Sequence, residues 1–226
     1  MFHVRFLSCF VAYSVLFGWK LAYKGLTGQD FVGVFASQAF SVILLTLFQF
    51  CIPPAHLNPV GACLELASGA RSFSSAVASA LTSSAAAAAA MQLFISTLSV
   101  SQIGSIAVPH SAIRTDDVFV HVLWLEAALS LCSVLFGSQV IKSLPALKSV
   151  PSFVVSNLYL LVQLQTPLMS NLGNVNPASA FASVLLHQQP VVFAAQISGN
   201  LLAVALFAYV NNVISNRASQ RKQKQD

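Results

Sequence analysis

Ala55-His56-Leu57-Asn58-Pro59-Val60 and, 118 residues after the first Asn, Gly173-Asn174-Val175-Asn176-Pro177-Ala178 are the stretches on which the fold turns. Asn is a favoured helix N-cap, and Pro suits the first helical position, whose N–H has no intrahelical partner. Each Asn-Pro pair therefore predicts an abrupt helix start. The pieces that carry them, Ala55 to Gly69 and Leu172 to His187, run roughly 15 residues. That is too short to cross a bilayer core of roughly 30 Å as a helix. One Asn-Pro is a weak signal, usually a turn. Two, each in the same place within its half of the chain, are a strong one.

The flanking sequence supplies the membrane. Of the 226 residues, 56% are hydrophobic and 8% charged, against roughly 25% charged in an ordinary soluble domain. Mean hydropathy is +0.75. A surface so poor in charge would aggregate in water, so lipid is the expected solvent. Long stretches almost free of charge run from Phe6 to Trp19, Phe31 to Ile52, Phe73 to Val108, Val118 to Ile141, Pro151 to Leu168 and Pro190 to Ile214. The fourth contains a single charge, Glu126. The first is short, but Arg5 and Lys20 beside it can snorkel to the interface. It lacks a small-residue cleavage site and is expected to be a retained span. The third, rich in Ala and Ser, reads as a helix built for close approach to its neighbours.

The order is span, span, short helix, span, and then the same again. Three spans per half is an odd number, so the second half enters the membrane upside down, as in inverted-repeat transport proteins. The expected fold is an all-α membrane protein of six transmembrane helices plus two re-entrant half-helices, in one domain over residues 1–226. Its repeats cover about 1–108 and 115–215, and a basic tail covers 216–226. With both termini cytosolic, Arg5, Arg71, Lys142, Lys148, Arg217, Arg221, Lys222 and Lys224 face the cytosol. Lys20, Lys24 and Arg114 face out. That bias obeys the positive-inside rule. The net charge of +5 is thus read as topology, and nucleic acid is not an expected partner.

Helix starts at membrane depth leave backbone N–H groups free and aim the positive ends of their dipoles ahead. Irregular backbone is tolerated there only inside protein or beside a water-filled cavity. Two inverted repeats bring both starts tip to tip near the bilayer centre. Two Asn amides can then hold a solute oxygen while converging dipoles repel cations. The combination suits passage of neutral hydrogen-bonding solutes and rejection of ions and protons.

The two Asn-Pro stretches resemble the signature NPA motifs of the aquaporin (major intrinsic protein) family, a resemblance that span order extends over the whole chain. It implies a passive channel for water and other small neutral solutes, a homotetramer with one pore per protomer, and Glu126 as the fourth-span glutamate that hydrogen-bonds pore-loop backbone. It also implies pore residues Asn58, Pro59, Val60, Asn176, Pro177 and Ala178, and an outer filter at Phe40, Leu164, Gly173 and Ser179. The chain departs from the family where Ser179 stands in place of the filter arginine and Val60 in place of alanine. The first span lacks the usual glutamate, and Ala180 replaces the aspartate of glycerol channels. These departures are similar to the unorthodox branch, the small basic intrinsic proteins and superaquaporins, which sit largely in the endoplasmic reticulum. They also keep open a non-conducting scaffold with the same fold, and a widened pore permeable to peroxide, glycerol or ions.

No nucleophile–base pair, phosphate loop or metal-ligand spacing is present in the sequence, so neither an enzyme nor a cofactor is expected. Cys9, Cys51, Cys63 and Cys132 read as small buried hydrophobes. Glu126 has no second carboxylate or basic residue near it in sequence and reads as an architectural brace. His56, beside the first motif, is expected at the cytosolic vestibule, where a proton-sensitive gate is conceivable. Lys222 and Lys224, near the end of the tail, resemble a dilysine retrieval signal. That favours the endoplasmic reticulum over the plasma or another internal membrane, with anionic lipid as the alternative partner of the tail.

Overall fold

The computed structural model describes residues 2–27, 31–97, 115–135, 150–151, 153–154, 157–158, 176–184 and 190–223. Every regular element among them is helical: α1 (Phe2–Thr27), α2 (Phe31–Cys51), α3 (Pro54–Leu57), α4 (Pro59–Ala67), α5 (Phe73–Thr97), α6 (Thr115–Leu135), α7 (Pro177–Val184) and α8 (Pro190–Gln223). Two helical stretches, Phe73–Thr97 and Pro190–Val213, are long and apolar enough to cross a membrane by length and composition. Three shorter apolar stretches lie in α1 (His3–Trp19), α2 (Ala39–Cys51) and α6 (Phe119–Cys132). Most of the fifth expected span lies outside the described residues.

Helix α8 runs past its apolar stretch at the C-terminal end. The sequence places a polar tail from residue 216, yet the helix continues to Gln223. The added segment is rich in Arg, Lys, Gln and Ala, all good helix formers, so propensity carries it on.

Small residues set the packing. Ala76, Ser79, Thr82, Ser83, Ala86, Ala87, Ala90 and Met91 form the buried face of α5. Thr82 and Ser83 donate their hydroxyls to carbonyls of their own helix, Ala78 at 2.6 Å and Ala80 at 3.0 Å. A stripe this thin lets α1, α4 and α7 all pack against α5. The main core gathers there, from Cys9, Ala12, Tyr13 and Phe17 of α1 to Ala178 and Ala182 of α7. Helices α6 and α8 form a second close pair. At their crossing, a Cβ on Gly199 would stand 2.4 Å from the Leu123 carbonyl oxygen, so only Gly fits.

Gly69 ends α4 with φ +74, which Gly adopts without strain. The amides of Ala70 and Arg71 both fold back onto the Glu65 carbonyl, at 2.8 and 3.2 Å, satisfying a carbonyl orphaned by the helix end. This turn feeds the chain into α5.

Candidate site at the meeting of two helix starts

The two Asn-Pro starts are built alike. Asn58 is in extended backbone (φ −126, ψ 118), and its Oδ1 accepts from the Val60 amide at 3.0 Å. Asn176 Oδ1 accepts from the Ala178 amide, also at 3.0 Å. In each, the side-chain oxygen satisfies a free N–H of the first turn, and Pro occupies the position that needs none. Helices α4 and α7 are nine and eight residues long. At 1.5 Å per residue, each reaches only about 13 Å.

The starts meet. Asn176 Nδ2 donates to the Leu57 carbonyl, the residue before Asn58, at 3.3 Å, and to Tyr13 Oη at 3.1 Å. The Tyr13 hydroxyl itself donates to the same Leu57 carbonyl. One turn earlier on α1, Cys9 Sγ donates to the His56 carbonyl at 3.4 Å. Successive carbonyls, orphaned where α3 ends, are therefore held from one face of α1 by residues four apart. Tyr13, Leu57 and Ala178 are all buried, at 1%, 1% and 0% exposure. A neutral hydroxyl, an amide and a carbonyl thus converge at a largely buried point, with only Asn176 partly exposed, where hydrogen bonds hold more firmly than in water.

Behind this knot lies a cavity of about 510 Å³, walled by Pro59, Val60 and Pro177 of the two starts and by Phe181, Phe193 and Leu201. The pocket is open on one side, and its walls are almost wholly apolar. Ser84 and Asn200 are its few polar lining residues, so the polar knot offers a hydrogen-bonding solute more than the pocket does.

A second polar knot joins α6 to α8. Glu126, fully buried, accepts from Asn200 Nδ2 at 3.4 Å. Ser130 Oγ donates to Asn200 Oδ1 at 2.6 Å, and Asn200 Nδ2 also reaches the Gln196 carbonyl at 2.7 Å. Gly199 permits the approach that makes these bonds. A third set ties the segment around Asn157 to α2: Asn157 Nδ2 donates to Thr46 Oγ1 at 2.9 Å and to Gln49 Oε1 at 2.6 Å.

At the other end of α4, Arg71 Nε donates to Glu65 Oε2 at 2.7 Å. Its Nη2 lies 3.4 Å from His56 Nε2. Arginine can only donate, so His56 Nε2 is the acceptor and carries no proton. Burial, then the nearby Arg5 and Arg71 cations, hold the His56 imidazole below its ordinary value, with Glu65 opposing them. Among the described residues no group of three His, Cys, Asp or Glu side chains could hold a metal ion.

The chain matches no protein-family model, and no curated protein matches it. The residues themselves carry the functional argument.

Of the residues singled out in the sequence, the structure brings Asn58, Pro59, Val60, Asn176, Pro177 and Ala178 together around one point. Val60 is buried and lines the apolar cavity. Glu126 is fully buried, with Asn200 as a partner. His56 sits at the outer end of the first motif, on Arg71. Phe40 packs against Trp19, ring centroids 4.0 Å apart, and is 39% exposed. Ser179 is partly buried in the first turn of α7. Leu164 and Gly173 lie outside the described residues.

Sequence reasoning missed Tyr13 and Asn200. Tyr13 is a single phenol in an apolar stretch, indistinguishable by composition from an interfacial anchor. Asn200 carried a findable signal, since an amide in the middle of a span is costly unless paired.

Proposed function

We propose that the protein is a passive membrane channel of the aquaporin type for water and other small neutral solutes. On this reading, α1, α2, α5, α6, the segment around Asn157 and α8 belong to the six spans. Helices α4 and α7 are the half-helices that enter from opposite faces, in two inverted repeats, and the protomers assemble as a homotetramer. The endoplasmic reticulum membrane, with both termini cytosolic, is the proposed location.

The observation that carries the reading is the bond from Asn176 to the Leu57 carbonyl, by which two Asn-capped, Pro-started short helices meet end to end. A soluble helical protein has no use for two such starts in its interior. A pore does: each helix end carries about half a positive charge, so a cation at the junction faces both while a neutral oxygen meets amide donors. The 91%-helical, strand-free character of the described chain is compatible with this architecture.

The test is osmotic shrinkage of proteoliposomes, followed by stopped-flow light scattering. Wild-type protein should accelerate shrinkage over protein-free vesicles, and the Asn58→Leu/Asn176→Leu variant should not. Folded protein that conducts neither water, glycerol, urea nor peroxide would leave a membrane scaffold as the better reading.

A further inference from the structure

At the meeting point the Asn176 amide and the Leu57 carbonyl are bonded directly at 3.3 Å and are bridged as well by a hydroxyl. Tyr13 Oη accepts from the Asn176 amide at 3.1 Å and donates to the Leu57 carbonyl. A water molecule passing between the same two groups would make the same pair of bonds. Tyr13 is buried, so no bulk water competes for the position. The Asn176 amide directs its Nδ2 to Tyr13 and Leu57 and gives its Oδ1 to the Ala178 amide.

We infer that Tyr13 is a specificity-determining residue of this site: its hydroxyl stands in for the permeating solute, and passage requires a solute oxygen to take its place between Asn176 and the Leu57 carbonyl. The inference rests on the channel reading and narrows it. The site is then matched to small neutral O–H solutes, water and hydrogen peroxide, that both accept from an amide and donate to a carbonyl. Solutes without an O–H of that size gain nothing there.

The geometry supports this over a purely structural tyrosine in one respect. A structural hydroxyl needs only one partner, and the Leu57 carbonyl would suffice. Here the same oxygen also takes up an amide N–H from the other half of the chain, 163 residues away. Releasing that bond makes one amide N–H available at the junction, while the bond to the Leu57 carbonyl remains. The ring itself stays packed on Phe17, with centroids 5.7 Å apart, so removing the hydroxyl alone leaves its support in place.

The experiment compares wild type, Tyr13→Phe and Tyr13→Ala in proteoliposomes of equal protein density, reading water, hydrogen peroxide and glycerol flux. Tyr13→Phe should raise water and peroxide flux about fivefold, the factor that one ordinary hydrogen bond is worth, and leave glycerol flux unchanged. Equal gains for all three solutes would mean simple loosening of the bundle and overturn the assignment. So would a gain confined to Tyr13→Ala, which would make the ring the obstacle, not the hydroxyl. Tyr13→Phe equal to wild type, with both above protein-free vesicles, overturns this inference and leaves the channel reading standing. All variants at the protein-free rate overturn both. If Tyr13→Phe does not assemble, Tyr13→Met, which adapts to irregular gaps, removes the hydroxyl, and its ranking of the three solutes is read in the same way.

Discussion

Replacing Gly199 by Ala should weaken the α6–α8 crossing far more than one methyl group suggests. The added Cβ would lie 2.4 Å from the Leu123 carbonyl oxygen, 2.7 Å from Glu126 Cβ and 3.0 Å from the Ala127 amide nitrogen. Two of these neighbours are backbone and cannot swing aside. Ordinary contact begins near 3.4 Å, so the helices must part by about 1 Å. Overpacking of this kind costs about 1–3 kcal/mol. The bond from Asn200 to Glu126 is already 3.4 Å long and would be lost, adding about 1 kcal/mol. A total of about 2–4 kcal/mol, at roughly 2–4 °C per kcal/mol for a chain of this size, lowers the thermal midpoint by roughly 4–16 °C. The assay is thermal unfolding of the detergent-purified protein, with Gly18→Ala as the matched control. There the new Cβ meets the far edge of the Phe94 ring at 3.1 Å, a side chain that can give way, and the midpoint should hardly move. Equal midpoints for Gly199→Ala and wild type would refute the reasoning, as would Gly18→Ala being the worse of the two.

Ser130→Ala removes the donor to the buried Asn200 Oδ1 at 2.6 Å and should cost about 1–3 kcal/mol in the same assay. His56 should make the thermal midpoint depend on pH. Because its folded value is lowered, its contribution is fully present above about pH 6.5 and is lost as pH falls through the lowered value, when the ring gains a proton and stops accepting from Arg71. His56→Gln keeps an acceptor that does not titrate, so its midpoint should fall less between pH 7 and pH 5; identical profiles would exclude His56 as the cause. Glu65→Gln should shift stability by less than about 1 kcal/mol, since the Glu65 side chain is 42% exposed and solvent screens its pair with Arg71.

The two starts were legible in the sequence because capping is local chemistry: Asn58-Pro59 and Asn176-Pro177 announce a helix start whatever surrounds them. The alanine-rich face of α5 was legible for the same reason, since small residues at helical spacing mean close packing in any apolar solvent. Tyr13 was not, because its role depends on two partners 44 and 163 residues away in the chain. Nothing at position 13 encodes those partners. The filter positions show the same limit. Phe40 was assigned through the family resemblance, and what a phenylalanine packs against, here Trp19, is set by the angle between two helices. Composition marks the residues from 216 as a polar, basic tail and leaves their conformation open; helix propensity carries α8 on to Gln223.

The Leu57 carbonyl has a consequence for how the protein is made. Its partner Asn176 lies 119 residues later in the chain. At about 5–20 residues per second of synthesis, that interval lasts roughly 6–24 s. Throughout it, Tyr13 and Cys9 are already made and can hold the Leu57 and His56 carbonyls, while the second helix start does not yet exist. The bond from Tyr13 to Leu57 thus joins residues made early, and the bond from Asn176 closes the junction late.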